Sequence, residues 1–277
     1  MNEFNQETNQ FEHNLKTVSS SGLMAKTLIG VIIAFAVALP NLMQGDLFLS
    51  FLYEMSGFSY LFMSIFVTII LGIIWVTLYK TLTKDHGPIF NAITFAVTSA
   101  FAGLFLGNAL IFAVIIIGYY APDIDVEMVL TALQITTGAT FIAVVGGVIA
   151  LPKLRMDGPA IKFFNNVAIL LVALTFVSGI TFFIGYLFHI FGFDFILDLY
   201  YSLVYGLGPV SIFFSILAVL GAEFMFLITL ARSKMAVGKE PKHMEYFYSI
   251  ILVNAIIRIY VEIFKLVLKL LASKNRD

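Results

Sequence analysis

The chain has 277 residues, of which 60% are hydrophobic and 12% are charged, and its mean hydropathy is +0.98. A soluble domain is typically about 45–50% apolar and about 25% charged, so this composition excludes that class and indicates an integral membrane protein. The net charge of −1 gives no strong global field that would point to nucleic acid, and we expect no nucleic-acid partner. The lack of cysteine excludes disulfides, iron–sulfur clusters and thiolate metal sites.

Seven apolar segments are long enough to cross a bilayer, which takes roughly 20 residues of helix. They cover residues 23–42, 58–79, 89–117, 129–151, 163–190, 209–231 and 249–272. The sequence therefore predicts an all-α integral membrane protein, a seven-transmembrane-helix bundle that forms a single domain over residues 23–272. We expect a polar cytoplasmic tail over residues 1–22 and a short C-terminal tail over residues 273–277.

A further apolar stretch, residues 195–205, precedes the sixth segment and is closed by Gly206-Leu207-Gly208-Pro209. Proline ends or restarts a helix because it lacks a backbone N–H and restricts the residue before it. The pattern predicts a short interfacial or broken helix followed by the true span.

The distribution of Lys and Arg predicts the orientation of the first six segments. Loops on the side of the N-terminus carry Lys80, Lys84, Lys153, Arg155, Lys162, Arg232, Lys234, Lys239 and Lys242. Loops on the other side carry Asp46, Glu54, Asp123, Asp125, Glu127, Asp194 and Asp198, with no Lys or Arg. We expect a multi-pass protein of the cell (plasma or inner) membrane with its N-terminus in the cytoplasm.

The seventh segment does not follow this alternation. If it spans the bilayer, Lys274 and Arg276 lie outside, against the positive-inside rule. If it re-enters or lies flat, they stay inside. We expect a true span, and the re-entrant alternative stays open.

Motifs of catalysis and cofactor binding are missing from the sequence. It contains no phosphate-binding loop and no dinucleotide fingerprint, and no two histidines share a helical spacing. We predict that the protein is not an enzyme and holds no cofactor and no catalytic or structural metal.

The last segment carries a polar stripe on an otherwise apolar helix. At 100° per residue, one face of that helix presents Asn254, Arg258, Glu262, Lys265 and Lys269. An ionisable side chain at the bilayer centre costs at least about 2.5 kcal/mol and normally faces a partner or a water-filled cavity. The sixth segment adds one more such group, Glu223.

Two interpretations of these charges are open. In the first, the stripe faces the bundle interior, Glu262 and Glu223 flank a polar path as a titratable gate, and Arg258 is the counter-charge. Asn254 and Lys265 complete the predicted ion path. Burial and a nearby guanidinium act in opposite directions on the pKa of a carboxyl group, so we expect the gate to respond to pH. In the second, Arg258 and Glu262 form a structural ion pair, or the helix lies at the membrane surface.

Small and hydroxylated residues mark the third and fourth segments. Gly103 and Gly107 form a small-xxx-small pair, and Gly146-Gly147 lies in the fourth segment, so we expect close helix packing there. Hydroxyl groups of the fourth segment line a polar path or bond back to their own helix. The hydroxyl groups are those of Thr131, Thr136, Thr137 and Thr140, and the amide of Gln134 lies on the same segment.

Residues 260–266, YVEIFKL, followed by Leu270-Leu271, resemble the closing helix of the transmembrane Bax-inhibitor-motif family in its bacterial-type form. That helix has the pattern Tyr-hydrophobic-Asp-Phe-Ile-Asn-Leu-Phe, then Leu-Leu-Arg. Residues 23–38 and 129–150 look like the family's first and fourth helices, and Ala102-Gly103-Leu104 is similar to the small-residue step of its third. The resemblance covers residues 23–272.

The resemblance implies a seven-helix fold with the last helix in the middle of the other six, and a calcium leak gated by pH. In that family an Asp on the sixth helix and an Asp on the seventh share a proton and latch the pore. Glu262 occupies the position of the seventh-helix Asp. Thr229 stands in place of the sixth-helix Asp, and Glu223 lies one to two turns earlier. Lys265 replaces a neutral polar residue, and Arg258 is an addition.

Three functions follow from these observations. The first is a pH-responsive ion leak channel, with calcium the expected ion and other cations as alternatives. The second is a non-conducting regulator or adaptor that binds other membrane proteins within the bilayer. The third is a transporter for a small organic solute that uses the break at residues 206–209.

Overall fold

The structure is a computed structural model that describes residues 17–43, 73–121, 123–150, 166–167, 184–185, 187–188, 192 and 195–274. Every regular element in these ranges is a helix, apart from one isolated bridge between Thr17 and Pro241. The helices are α1 (Ser20–Met43), α2 (Ile73–Leu82), α3 (Pro88–Tyr120), α4 (Val126–Ala150), α5 (Phe195–Tyr205), α6 (Pro209–Ala236) and α7 (Met244–Lys274). The all-α prediction is therefore confirmed for the described part of the chain.

Among the described residues, four helices are long and apolar enough to cross a membrane. They are Ser20–Pro40, Pro88–Val114, Val126–Ile149 and Pro209–Ala236. Most of the predicted segment 163–190 and most of the predicted segment 58–79 lie outside the described residues. The architecture is compatible with a multi-pass membrane protein.

Large apolar side chains are exposed along the outer faces of these helices. Leu28 and Ile32 project from α1, Phe141 and Ile142 from α4, and Phe213 from α6. Exposed apolar patches are uncommon on soluble monomers when they are large, whereas lipid tails solvate apolar side chains without cost. These faces therefore suit a lipid environment.

The described chain contains two compact units, and α3, α6 and α7 each contribute residues to both. The first unit consists of Met1–Asn108 and Arg232–Asn254. In it, glycines allow close contact between helices. A Cβ atom at Gly30 would lie 2.7 Å from Val253 and 2.8 Å from Phe95, and one at Gly103 would overlap the carbonyl of Ala34. The packing seam predicted at Gly103 is therefore present, between α1 and α3.

The second unit consists of Ala109–Ala231 and Ala255–Asp277. Its α5 ends at Tyr205 and its α6 begins at Pro209, so the break predicted from the Gly-Leu-Gly-Pro sequence is confirmed. Pro209 occupies the first helical position, where its missing N–H costs nothing. The Ile212 N–H donates to the carbonyl of Gly208 at 3.1 Å, at the start of α6. A side chain at Gly206 would overlap the Ser202 carbonyl, so the corner requires glycine there.

Candidate functional site in the second unit

The polar stripe of α7 changes in burial along the helix. Arg258 is exposed, Asn254, Glu262 and Lys265 are half-buried, and Lys269 is completely buried. The residues between them are mainly Ile, Leu, Val and Phe, and many of these are buried. Burial along the stripe is therefore not uniform: one member is exposed, three are half-buried and the last is fully buried.

Glu262 forms its ion pair with Lys265, one turn further along α7. The Lys265 Nζ lies 2.6 Å from the Glu262 Oε2, and the two side chains are 16% and 17% exposed. The sequence predicted Arg258 as the counter-charge, which stays a prediction; the ion pair with Lys265 is one that it did not assign. An acid placed N-terminal to a base at this spacing is favoured on a helix, and Lys265 reaches the carboxylate in a shielded position while Arg258 lies at the surface.

Lys269 is held by oxygen atoms from α5 and α6. Its Nζ donates hydrogen bonds to the Val204 carbonyl at 2.5 Å, the Ser215 Oγ at 2.7 Å and the Ser211 Oγ at 2.8 Å. Sequence reasoning placed Lys269 on the stripe but missed its partners, which lie more than fifty positions away. The one local signal was the pair of serines one turn apart, directly after the Gly-Leu-Gly-Pro break.

Glu223 lies on α6 and faces α4 at Gly147. Its Oε1 would be 3.2 Å from a Cβ atom at position 147, so the glycine makes room for the carboxylate. Its Oε2 is buried and has no hydrogen-bond partner within the described structure. No described hydrogen bond joins Glu223 to Glu262.

Two threonines of α4 share the face that carries Gly147. Thr136 and Thr140 lie within about 40° of Gly147 around the helix axis, and both hydroxyl oxygens are buried without a described hydrogen-bond partner. Thr137 points elsewhere, donating to the Leu133 carbonyl at 2.8 Å. Of the two roles expected for these hydroxyls, Thr137 has the structural one. Thr136 and Thr140 remain available to a polar path.

Thr229 stands where the family resemblance would place the sixth-helix Asp. Its Oγ1 donates to the carbonyl of Met225 on its own helix at 2.7 Å. A hydroxyl group that donates to a carbonyl of its own helix in this way does not replace a carboxylate that shares a proton.

A buried ion pair in the first unit

The first unit contains a polar cluster that sequence reasoning missed. Glu245, in the first turn of α7, is completely buried. It accepts hydrogen bonds from the Ser19 N–H at 2.8 Å and the Ser19 hydroxyl at 2.9 Å, and it forms an ion pair with Lys26. The Lys26 Nζ also lies 4.6 Å from the ring centroid of Tyr246.

This cluster completes the N-terminal cap of α1. The Ser19 Oγ accepts a hydrogen bond from the Gly22 N–H at 3.0 Å, as an N-cap serine does. In a capping box, a glutamate three residues after the serine returns a bond to the serine N–H. Gly22 stands at that position, and Glu245 supplies the carboxylate from α7 instead.

The electrostatic balance at Glu245 favours the ionised form. Burial by itself raises the pKa of this carboxyl, but the hydrogen bonds from Lys26 and Ser19, together with the charge of Lys26, lower the pKa below its ordinary value. Asn254, the first residue of the polar stripe, also has a structural partner in this unit, because its amide donates to the Tyr79 hydroxyl.

No family model, no curated protein and no solved structure matches this chain. The resemblance to the Bax-inhibitor-motif family therefore stays a prediction that rests on the residues quoted for it.

Proposed function

We propose that the chain forms a pH-responsive cation leak across a membrane, with Glu223 as the titratable residue of its gate. One observation carries the proposal. In the second unit, Glu223, Thr136 and Thr140 each have a buried oxygen atom without a described hydrogen-bond partner. Buried polar atoms are normally bonded, and an ionisable residue within a membrane helix is by default a candidate for ion or proton passage.

The chemistry of these atoms suits a cation. Carboxylate and hydroxyl oxygens are the ligands that hard cations accept, and calcium is the first ion to test. No cluster of three or more acidic or histidine side chains that could hold a metal occurs in the described ranges. A single carboxylate with hydroxyls binds weakly, and conduction requires that an ion leave as readily as it enters.

In this proposal α7 supports the path from one side. The Glu262–Lys265 pair keeps the charge of the stripe locally balanced, and Asn254 and Lys269 are held by their own partners. Side chains on several faces of α7 are buried, among them Leu252, Val253, Ile259, Phe264 and Leu268. This burial supports a seven-helix bundle with the last helix central. We place it in the cell (plasma or inner) membrane with the N-terminus cytoplasmic.

The test is calcium flux into proteoliposomes that contain a calcium-sensitive dye, measured over a series of pH values. We expect flux to rise with pH, because the ionised Glu223 attracts a cation and the protonated form does not. Glu223→Gln keeps the shape of the side chain and removes its titration. It should lower the flux at high pH roughly tenfold, equivalent to about 1.4 kcal/mol in the barrier, and leave it independent of pH.

Two variants complete the design. Glu262→Gln frees the positive charge of Lys265 and should lower cation flux at every pH without moving the pH midpoint. Glu127→Gln changes an exposed glutamate at the start of α4 and should behave as the wild type. A Glu223→Gln protein that retains the wild-type pH dependence would rule out the gate assigned here.

A non-conducting regulator or adaptor of other membrane proteins is the second candidate. It is favoured by the partners found for the α7 stripe, since Asn254, Glu262 and Lys269 each bind within the protein. This function predicts no flux at any pH, and loss of folding instead of loss of gating when Glu262 is changed. The solute transporter is the third candidate, since the break at residues 206–209 that it would use is present between α5 and α6.

A further inference from the structure

The surroundings of Lys269 form a compact cage of oxygen atoms at the corner between α5 and α6. Lys269 is 0% exposed, and Ser211 and Ser215 are 2% and 7% exposed. Three oxygens lie within 2.8 Å of Nζ, and the Ser211 carbonyl lies further away at 3.4 Å. An ammonium group has three N–H donors, which matches the three near oxygens.

The directions of the hydrogen bonds show that the oxygen atoms of the cage accept hydrogen bonds from the Lys269 ammonium group. The Ser215 hydroxyl donates its proton to the Ser211 carbonyl at 3.0 Å, so its oxygen accepts from Nζ. The Val204 carbonyl can only accept. It also lies in the last turn of α5, where carbonyls lack a helical N–H partner and carry the negative end of the helix dipole.

The charge of Lys269 is stabilised by neutral groups. Within the described residues no carboxylate forms an ion pair with it, and the acid on its own face, Glu262, pairs with Lys265. Membrane transporters coordinate monovalent cations with backbone carbonyls at a helix break and at the C-terminal end of the helix before it. The oxygens around Lys269 have this arrangement. Divalent cations usually require carboxylates in addition.

We propose that the Val204 carbonyl and the Ser211 and Ser215 hydroxyls form a monovalent-cation site, which the ammonium of Lys269 fills as a tethered cation. The backbone geometry that creates the site is set by Gly206 and Pro209. Because the cation is part of the chain, the contact of α7 with the α5–α6 corner does not depend on dissolved Na⁺ or K⁺. The proposal is independent of the leak function.

The test is to remove the tethered cation and supply a free one. Lys269→Ala is purified in detergent, and its unfolding temperature is measured in NaCl, KCl and N-methyl-D-glucamine chloride at equal ionic strength. At about ten times the dissociation constant, Na⁺ or K⁺ should raise the unfolding temperature by about 4 °C over the organic cation, which is too large for the cage. The unfolding temperature of the wild type should be the same in all three salts.

Two controls isolate the cage. Lys269→Met removes the charge but leaves a side chain in the site, so it should be destabilised without a cation preference. Lys269→Ala combined with Ser215→Ala removes one ligand and should lose most of the Na⁺ or K⁺ effect. If Lys269→Ala folds only when Na⁺ or K⁺ is present, folded yield becomes the readout and supports the site. Equal behaviour in all three salts, including failure to fold in all of them, overturns the proposal.

Discussion

Replacement of Glu245 by glutamine should lower the free energy of unfolding by about 3 kcal/mol, the lower end of the cost of breaking a buried ion pair. The variant leaves the charge of Lys26 without its buried partner and weakens the bonds to Ser19 that cap α1. Lys26 is 20% exposed, so water compensates part of its charge and keeps the cost from being larger. Chemical or thermal unfolding in detergent micelles measures the difference.

The contribution of Glu245 should depend on pH in a defined direction. Its pKa is lowered in the folded state, so the folded protein binds this proton less readily than the unfolded chain. The stabilisation is therefore complete above the ordinary carboxyl pKa of about 4.3, and it is lost as pH falls through the lower folded value. The difference in the free energy of unfolding between the wild type and Glu245→Gln should be constant from neutral pH to about pH 5. It should decrease as the pH falls below about pH 4.

Glu127→Gln is the matched control for this prediction. Glu127 also lies in the first turn of a helix, but its side chain is exposed. Loss of a helix-terminal charge alone should cost about 0.3–1 kcal/mol. Equal destabilisation by the two substitutions would mean that the Lys26–Glu245 pair contributes nothing beyond the helix dipole.

Gly103→Ala has the second largest expected effect on stability, a loss of about 2–3 kcal/mol in the free energy of unfolding. The new methyl group would overlap the Ala34 carbonyl and lie 2.9 Å from the Ala34 Cα. These are backbone atoms of α1, so no side-chain rotation can relieve the overlap. The two helices must move apart and give up the contacts between them.

Fluorescence of the single tryptophan reports this change directly. Trp75 lies in the same unit, with its ring centroid 5.6 Å from that of Phe105 on α3, close to Gly103 in sequence. Its emission should shift in Gly103→Ala at temperatures where the wild type is unchanged. Gly146→Ala is the control, because no described atom lies within 4 Å of a Cβ atom at Gly146. A Gly103→Ala protein as stable as Gly146→Ala would exclude close packing at this seam.

The polar groups of the described structure divide into two kinds, and the division bears on function. Glu245 and Lys269 are held by partners outside their own helix, and Glu262 pairs with Lys265 on its own helix. Glu223 has a buried oxygen without a described partner. A group of the first kind changes stability when it is replaced, whereas Glu223 should change flux with a smaller effect on folding. The flux and unfolding experiments therefore test different residues of one helical protein.

The sequence by itself was sufficient for features that depend on local covalent geometry. The break before α6 follows from Pro209 and its neighbouring glycines, and α5 occupies the range 195–205 that the pattern predicted. The close approach at Gly103 follows from small residues on an apolar helix. The polar stripe of α7 follows from helical spacing, and its members were all identified in advance. These features need only the residues within one or two turns.

Only the tertiary structure decided which partner each polar group has. The sequence offered Arg258 and Lys265 to Glu262 at almost equal spacing, and the structure places the Lys265 Nζ 2.6 Å from the Glu262 carboxylate. Lys269 meets Ser211 and Ser215, and Glu245 meets Ser19 across 226 positions of the chain. A buried charge requires compensation, but the requirement does not specify its source. The source is set by which helix covers that face, and helical periodicity carries no information about packing between distant segments.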